Sequence, residues 1–98
     1  MGVQVHPSAI VEKGAELGEN VDIGPACIVG SGVKIGDGGR LISHVSIAGS
    51  TTIGTDATIY PFAALGHPPQ DFKYDGEDTT LIIGDHVTVR EHATMHLG

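Results

Sequence analysis

The sequence has few aromatic residues, one cysteine and no long apolar run, and each shortage excludes a class of structure. Four aromatic residues and no tryptophan in 98 positions are too few for a compact core built on large rings. A single cysteine, Cys27, cannot form an internal disulfide, which favours a reducing compartment. No segment approaches the roughly 18 apolar residues of a membrane-spanning helix, and the N-terminus lacks a basic region followed by an apolar run. We therefore expect a cytoplasmic chain without an integral membrane segment.

Positive charge is also scarce. Five Lys and Arg stand against twelve Asp and Glu, for a net charge of −7. Nucleic acids and anionic membranes are bound by clustered Lys and Arg, so neither is expected as a partner, and proteins and small molecules remain. A chain this short buries only about 60–65% of its unfolded surface. Together with 15 glycines, this favours a repeat protein over a conventional globule.

The chain has a period of six residues. An apolar column recurs at Val5, Val11, Leu17, Ile23, Val29, Ile35, Leu41, Ile47, Ile53, Ile59 and Leu65. A mostly small or apolar column lies two positions earlier, and a glycine-rich column lies one position later. An apolar–x–apolar triplet is typical of a short strand with two side chains on one face, and the glycine after it permits a positive φ or a close turn. Each hexad therefore predicts one flat side and one corner.

This pattern resembles the hexapeptide repeat of single-stranded, left-handed parallel β-helices, in which three hexads form one triangular coil. The resemblance implies a mainly β fold and the left-handed sense, whereas the usual crossover preference would predict the opposite hand. We expect one β-helix domain over residues 1–98.

One stretch, "GHPPQDFKYDGEDTT" at residues 66–80, interrupts the repeat. The apolar column resumes at Ile83, eighteen residues after Leu65, so the phase is kept. Asp71 and Glu77 occupy the intervening column positions, where an unpaired carboxylate would be costly to bury. We therefore predict that one loop, over residues 67–80, protrudes from the wall.

Two features of this loop indicate a function. Pro68 and Pro69 cannot donate hydrogen bonds to a sheet, and long irregular excursions are uncommon in compact domains unless they serve a function. The amide of Gln70, the carboxylate of Asp71 and the ammonium group of Lys73 suit a polar, charged small molecule.

The loop also carries the most selective resemblance. "QDFKYDGE" is similar to the Q-D-x-K-Y-x-G-E loop of bacterial UDP-N-acetylglucosamine O-acyltransferases, which are hexapeptide-repeat enzymes of lipid A biosynthesis. "HPSAIVEKGAELGENVDIGPACIVG" and "TTIGTDATIYPFAALG" are similar to coils of the same family.

The resemblance implies a homotrimer with active sites in the clefts between neighbouring prisms. It implies transfer of a 3-hydroxyacyl chain from acyl carrier protein to the glucosamine 3-hydroxyl of UDP-N-acetylglucosamine, without a further cofactor. Gln70 and Asp71 are then expected to bind the sugar nucleotide, with Asp71 in the catalytic role of positioning the glucosamine. Lys73 is expected to reach an anionic group, and His96 matches a position near the cleft.

By the same resemblance, the general-base histidine belongs to a later coil, beyond Gly98. We expect this chain to be an N-terminal segment that lacks the later coils and the C-terminal helical domain, and to be inactive alone. The reading Met95-His96-Leu97-Gly98 departs from the family's I-H-R-G and lacks its arginine.

The other polar residues are expected to be structural. His86 and His92 are one hexad apart, so they lie on adjacent sides of one coil and cannot share a metal ion within one chain. No metal site is expected. His44 is predicted to be exposed, and Cys27 to be a buried, inert thiol.

Two alternative functions remain at this point. One is another hexapeptide-repeat acyltransferase, such as a UDP-acylglucosamine N-acyltransferase or a coenzyme A-dependent acetyltransferase. The other is a β-helical structural fragment without turnover.

Overall fold

A computed structural model describes residues 2–67, 80–91 and 93–96, with the backbone alone at His67 and His96. These residues form strands and turns, and they include no helix that could cross a membrane. The strands of the described ranges are, in chain order, β1 (Gln4–Val5), β2 (Ile10–Val11), β3 (Glu16–Leu17), β4 (Asp22–Ile23), β5 (Ile28–Val29), β6 (Lys34–Ile35), β7 (Arg40–Leu41), β8 (Ser46–Ile47), β9 (Ser50–Ile53), β10 (Thr58–Ile59), β11 (Ala64–His67), β12 (Thr80–Ile83), β13 (Thr88–Val89) and β14 (Thr94–His96).

Every third strand belongs to the same parallel sheet. Sheet A contains β1, β4, β7, β10 and β13; sheet B contains β2, β5, β8, β11 and β14; and sheet C contains β3, β6, β9 and β12. Strands that follow one another in the chain therefore never pair. The chain winds through sheets A, B and C in turn, as a three-sided parallel β-helix with short turns at the corners.

The interior is formed by the two inward-facing columns, as the sequence predicts. The apolar column is buried without a break from Ile23 to Leu65, and Ile83 and Val89 continue it. At the edge strand β1, in contrast, Val5 is 42% exposed because β1 pairs only with β4. Burial of such a side chain contributes about 1.5–3 kcal/mol, and here it depends on a neighbouring coil.

The glycines after the apolar column allow a close approach of neighbouring coils. A Cβ atom built on Gly24 would lie 2.7 Å from the carbonyl carbon of Ile42, and one on Gly54 would lie 2.7 Å from the amide nitrogen of Asp85. A side chain at either position would push one coil away from the next, because both contacts are with rigid backbone. Close stacking of the coils therefore requires glycine at these two positions.

The left-handed residue of most corners is not the glycine of the repeat. Positive φ angles occur two residues after the glycine column, for example at Asn20 (59°), His44 (51°) and Phe62 (66°). Within the column itself, only Gly66 has a positive φ, of 73°. The pattern allowed a positive φ or a close turn at these glycines. At most of the other positions the left-handed conformation falls on the residue two places later, which is Asn20, Ala26, Gly38, His44, Asp56, Phe62 or His86.

The repeat keeps its phase across the interruption. β11 and β12 form consecutive sides of the helix, although eighteen residues rather than six separate Leu65 from Ile83. β12 pairs with β9 in full register, from Thr80 opposite Ser50 to Ile83 opposite Ile53. Sheet C therefore continues with the inward and outward faces unchanged, which confirms the phase read from the sequence.

Candidate functional site

The interruption of the repeat falls between a strand of sheet B and a strand of sheet C. Gln70, Asp71 and Lys73 lie outside the described residues, as does the whole of segment 68–79 with the predicted protrusion. The structure describes the two strands that this segment connects, β11 and β12. It therefore defines the B–C corner, formed by residues 48–50 and 66–67, from which the segment departs.

Buried Thr51 organises the backbone at this corner. Its side chain is fully buried, and it is the one polar member of the core in the part of the chain that the structure describes. The Thr51 hydroxyl donates a hydrogen bond to the carbonyl oxygen of Ala48 at 2.7 Å, which satisfies a group that would be costly to bury without a partner. Gly49, inside this turn, has a φ of 65°. The hydroxyl thus ties a left-handed turn to the strand that follows it.

Gly66, in the next coil, packs against this turn. It is buried, has a φ of 73°, and a Cβ atom there would collide with the Thr51 hydroxyl and the Ala48 carbonyl oxygen. Both the space and the backbone conformation require glycine. The chain therefore reaches segment 68–79 through a position that accepts no side chain.

The pairing of β11 with β14 is irregular at the same place. Leu65 is opposite Met95 and His67 is opposite His96, so the register shifts by one residue between Leu65 and His67. Such bulges redirect the side chains that follow them and are common beside active sites. The structure brings together the backbones of His67, the first residue of the predicted loop, and His96, which the resemblance places near the cleft.

Sequence reasoning missed the roles of Gly49, Thr51 and Gly66. Thr51 is a polar residue in the mostly small or apolar column two positions before the apolar one. This exception was the signal in the sequence that could have pointed to its role. The bulge has no counterpart in the hexad pattern, because the pattern aligns columns and does not show where an extra residue enters a strand.

The remaining histidines of the described ranges have structural contacts. His6 Nδ1 lies 2.9 Å from the Ser8 hydroxyl in the first turn, and exposed His86 lies 3.8 Å from Asp56. His44 is exposed, as predicted. In the described part of the chain, no three His, Cys, Asp or Glu side chains are grouped as metal ligands; His92 lies outside it.

Cys27 is buried and carries a free thiol, as predicted. Burial raises the pKa of the Cys27 thiol, and backbone hydrogen bonds with Val45 and Gly24 oppose this only in part. The thiolate is the nucleophilic form, so this cysteine is suited to packing and not to chemistry.

Most of the positive charge on the described surface is already paired. The Lys34 ammonium lies 3.9 Å from Glu16, and the Arg40 guanidinium lies 4.0 Å from Asp22. Arg90 lies 3.2 Å from Glu91 and also stacks on the Tyr60 ring, 4.6 Å from its centroid. These pairs leave little positive charge for a pyrophosphate on the described walls.

The chain is similar in sequence to known acyltransferases. An acyl-[acyl-carrier-protein]–UDP-N-acetylglucosamine O-acyltransferase of Mesorhizobium japonicum is 53% identical over 94 residues, which are 96% of this chain and 34% of that protein. The corresponding protein of Thermodesulfovibrio yellowstonii is 52% identical over 93 residues, or 95% of this chain and 36% of that protein. No protein-family model matches the chain.

The fold is similar to that of solved structures of such acyltransferases. The crystal structure of UDP-N-acetylglucosamine O-acyltransferase from Moraxella catarrhalis superposes with a TM-score of 0.90 at 49% identity, over 94% of this chain and 36% of that chain. The chain thus spans about a third of the length of the curated relatives that it matches. In sequence and in fold, it is homologous to the N-terminal part of the UDP-N-acetylglucosamine O-acyltransferases.

Proposed function

We propose that this chain is part of an acyltransferase of lipid A biosynthesis. The enzyme transfers a 3-hydroxyacyl chain from acyl carrier protein to the glucosamine 3-hydroxyl of UDP-N-acetylglucosamine. The observation that carries the proposal is 53% identity to such an acyltransferase along 96% of the chain. The motif "QDFKYDGE" at residues 70–77 supports the choice of substrate.

The chemistry assigned to this segment is binding and orientation. Gln70 and Asp71 bind the sugar nucleotide, with Asp71 holding the glucosamine in place, while Lys73 reaches an anionic group and His96 lines the cleft. No cofactor is needed, because the acyl group arrives bound to its carrier protein. An ester forms on the sugar oxygen as the bond between acyl group and carrier breaks.

The described framework is compatible with these roles. We infer a single-stranded, left-handed β-helix domain over residues 1–98, with a loop over residues 67–80 that protrudes at the B–C corner. The shift that brings His67 opposite His96 and the buried contact of Gly66 with Thr51 both lie where that loop begins and support a site there.

The remaining parts of the enzyme lie in other segments or other copies. The general base that accepts the 3-hydroxyl proton is a histidine of a later coil, a role that suits imidazole because its pKa lies near working pH. The enzyme is a cytoplasmic homotrimer with a C-terminal helical domain. Because the chain spans about a third of its relatives, the second candidate function, a structural segment without turnover, describes the isolated chain.

A chimera tests the proposal. Residues 1–98 replace the homologous part of the Moraxella catarrhalis acyltransferase, and transfer from acyl carrier protein to UDP-N-acetylglucosamine is measured. The chimera is expected to turn over, while the isolated chain is not. Asp71→Ala in the chimera is expected to lower kcat/KM at least about 100-fold, because the glucosamine loses the group that orients it.

Asp75→Ala is the matched control, since it removes a carboxylate from the same segment at a variable position of the motif. Its kcat/KM is expected to stay within about threefold of the chimera. A folded chimera without transfer activity would contradict the proposed function. Equal losses for the two aspartates would contradict the role of Asp71 alone.

A further inference from the structure

The described strands are longest where sheets B and C meet. β9, β11 and β12 have four residues each, whereas the other strands of the described ranges have two or three. β9 begins at Ser50 and β12 at Thr80, so both extend two residues further toward the B–C corner than β3 and β6 do. β11 reaches the same corner from the other side, at His67. The coils beside segment 68–79 are therefore paired up to the corner itself.

Packing alone does not explain the threonine at this corner. Val33 occupies the same inward position one coil earlier and is as fully buried as Thr51. A valine would therefore fill the interior at position 51, and what threonine adds is its hydroxyl. That hydroxyl donates to the carbonyl oxygen of Ala48, the residue directly before left-handed Gly49. The polar group thus serves the turn and not the core.

The same hydroxyl belongs to the surface on which the next coil packs. A Cβ atom on Gly66 would collide with the Thr51 hydroxyl oxygen and the Ala48 carbonyl oxygen, which are the two atoms of this hydrogen bond. The Ala48 amide in turn donates to the Leu65 carbonyl oxygen at 2.9 Å. Residues 65–66 are therefore held against the preceding coil by both the backbone and the Thr51 side chain.

This contact lies immediately before the segment with the predicted binding residues. One residue after Gly66, the register shifts so that His67 is opposite His96. Asp71 follows Gly66 by only five positions, and residues 68–69 are both prolines. A proline ring fixes φ and also restricts the residue before it. The sequence therefore favours transmission of the backbone direction at Gly66 toward Asp71.

We propose that Thr51 is a positioning residue for binding of the sugar nucleotide. Its hydroxyl fixes the turn on which Gly66 packs, and Gly66 fixes the direction in which segment 68–79 presents Asp71. Thr51 is fully buried, so it acts through the backbone of the corner and not by touching substrate. The inference rests on the proposed function and adds a residue to it. Without the hydroxyl, only a fraction of the molecules holds the binding arrangement, and the apparent affinity falls by that fraction.

Kinetics of the chimera test this role. Thr51→Val keeps the shape of the side chain, but it removes the donor and places a methyl group against the Ala48 carbonyl oxygen and Gly66. It is expected to raise KM for UDP-N-acetylglucosamine at least about fivefold. The KM for acyl carrier protein and kcat are expected to stay within about twofold, because saturating nucleotide selects the binding arrangement.

Two further variants serve as controls. Thr51→Ser keeps a hydroxyl that can donate, and its three constants are expected to stay within about twofold of those of the chimera. Val21→Ala opens a cavity in the same inward column on the side of sheet A, where Val21 is buried. It lowers stability without touching the B–C corner, so neither KM is expected to change.

Hydrogen exchange in the 98-residue chain tests the corner without turnover. The Ala48 amide, which donates to Leu65, reports the B–C corner, and the Ile42 amide, which donates to Ile59, reports the wall elsewhere. Thr51→Val is expected to lower the protection factor of the Ala48 amide, relative to that of Ile42, at least about fivefold. Thr51→Ser is expected to lower it less than about twofold.

Four outcomes would overturn the inference. If Thr51→Val leaves the nucleotide KM unchanged in an active chimera, the positioning role is wrong while the proposed function stands. If both KM values rise alike, or if Val21→Ala has the same effect, Thr51 serves the stability of the wall and not the site. If the nucleotide KM rises without a loss of protection at Ala48, or if Thr51→Ser is impaired as strongly, the hydroxyl bond is not the cause. A folded chimera without transfer would overturn the proposed function and this role together.

Discussion

At the scale of single residues, distance to the next coil decides which side chain is allowed. Gly24 and Gly84 occupy the same hexad position, yet their surroundings differ. A Cβ atom on Gly24 would lie 2.7 Å from the carbonyl carbon of Ile42, whereas one on Gly84 would meet only Val87, with its Cγ2 atom at 3.8 Å. Replacing glycine by alanine is therefore expected to have different effects on stability at the two positions.

Gly24→Ala is expected to lower the free energy of unfolding by about 2–3 kcal/mol, because overpacking against rigid backbone forces the coils apart. Gly84→Ala is expected to leave it unchanged or to raise it by up to about 1 kcal/mol, since alanine restricts the unfolded chain. Urea unfolding followed by circular dichroism measures both. Equal effects would show that the glycine column acts through backbone conformation and not through contact.

The sequence predicted which residues face inward but not why glycine follows them. A repeat of six identifies the side chains that stack, because burial selects the same residue type in every coil. The repeat contains no information on the separation between coils, so it could not predict the close contact at Gly24. The positive φ at His44 and Phe62 was also hidden, because such residues seldom adopt that conformation.

At the scale of structural elements, side chains at the corners join one coil to the next. The Asp85 carboxylate accepts a hydrogen bond from the Thr55 amide at 2.8 Å, and the Asp37 carboxylate accepts one from the Glu19 amide at 2.9 Å. Asp85 follows the interruption and Thr55 precedes it, so the hydrogen bond between them joins the coil before the interruption to the coil after it. It is the corner contact most open to a direct test.

Asp85→Ala is expected to lower the free energy of unfolding by about 1 kcal/mol, because the Thr55 amide loses its acceptor. Asp85→Asn keeps a side-chain oxygen at the same position and is expected to retain at least half of the bond's contribution. Urea midpoints for the two variants provide the measurement. An Asn variant as unstable as the Ala variant would show that the charge, and not the hydrogen bond, stabilises the corner.

The place of the interruption was predictable from the sequence, but the construction of the corner beside it was not. The eighteen-residue step from Leu65 to Ile83 predicted where the wall is interrupted, because side-chain direction in a strand has a fixed period. The contact of Gly66 with Thr51 and the shift that brings His67 opposite His96 depend on local three-dimensional geometry. The binding roles of Gln70, Asp71 and Lys73 stay predictions.

At the scale of the whole molecule, the three sheets make stability a sum over neighbouring coils. An inner coil is held on both faces, whereas β1 pairs only with β4. The first coil should therefore open without unfolding the rest, although its hydrogen bonds are as short as those inside. The His6 amide donates to Ile23 at 2.8 Å, and the Ile42 amide donates to Ile59 at 2.9 Å.

Native-state hydrogen exchange distinguishes local opening from global unfolding. The protection factor of the His6 amide is expected to be at least about tenfold lower than that of the Ile42 amide, a difference of about 1.4 kcal/mol in opening free energy. The difference between the two protection factors should decrease as urea is added, because global unfolding then dominates exchange at both amides. Equal protection of the two amides in the absence of urea would mean that the coils unfold as one cooperative unit, and that stability here is not a sum over neighbours.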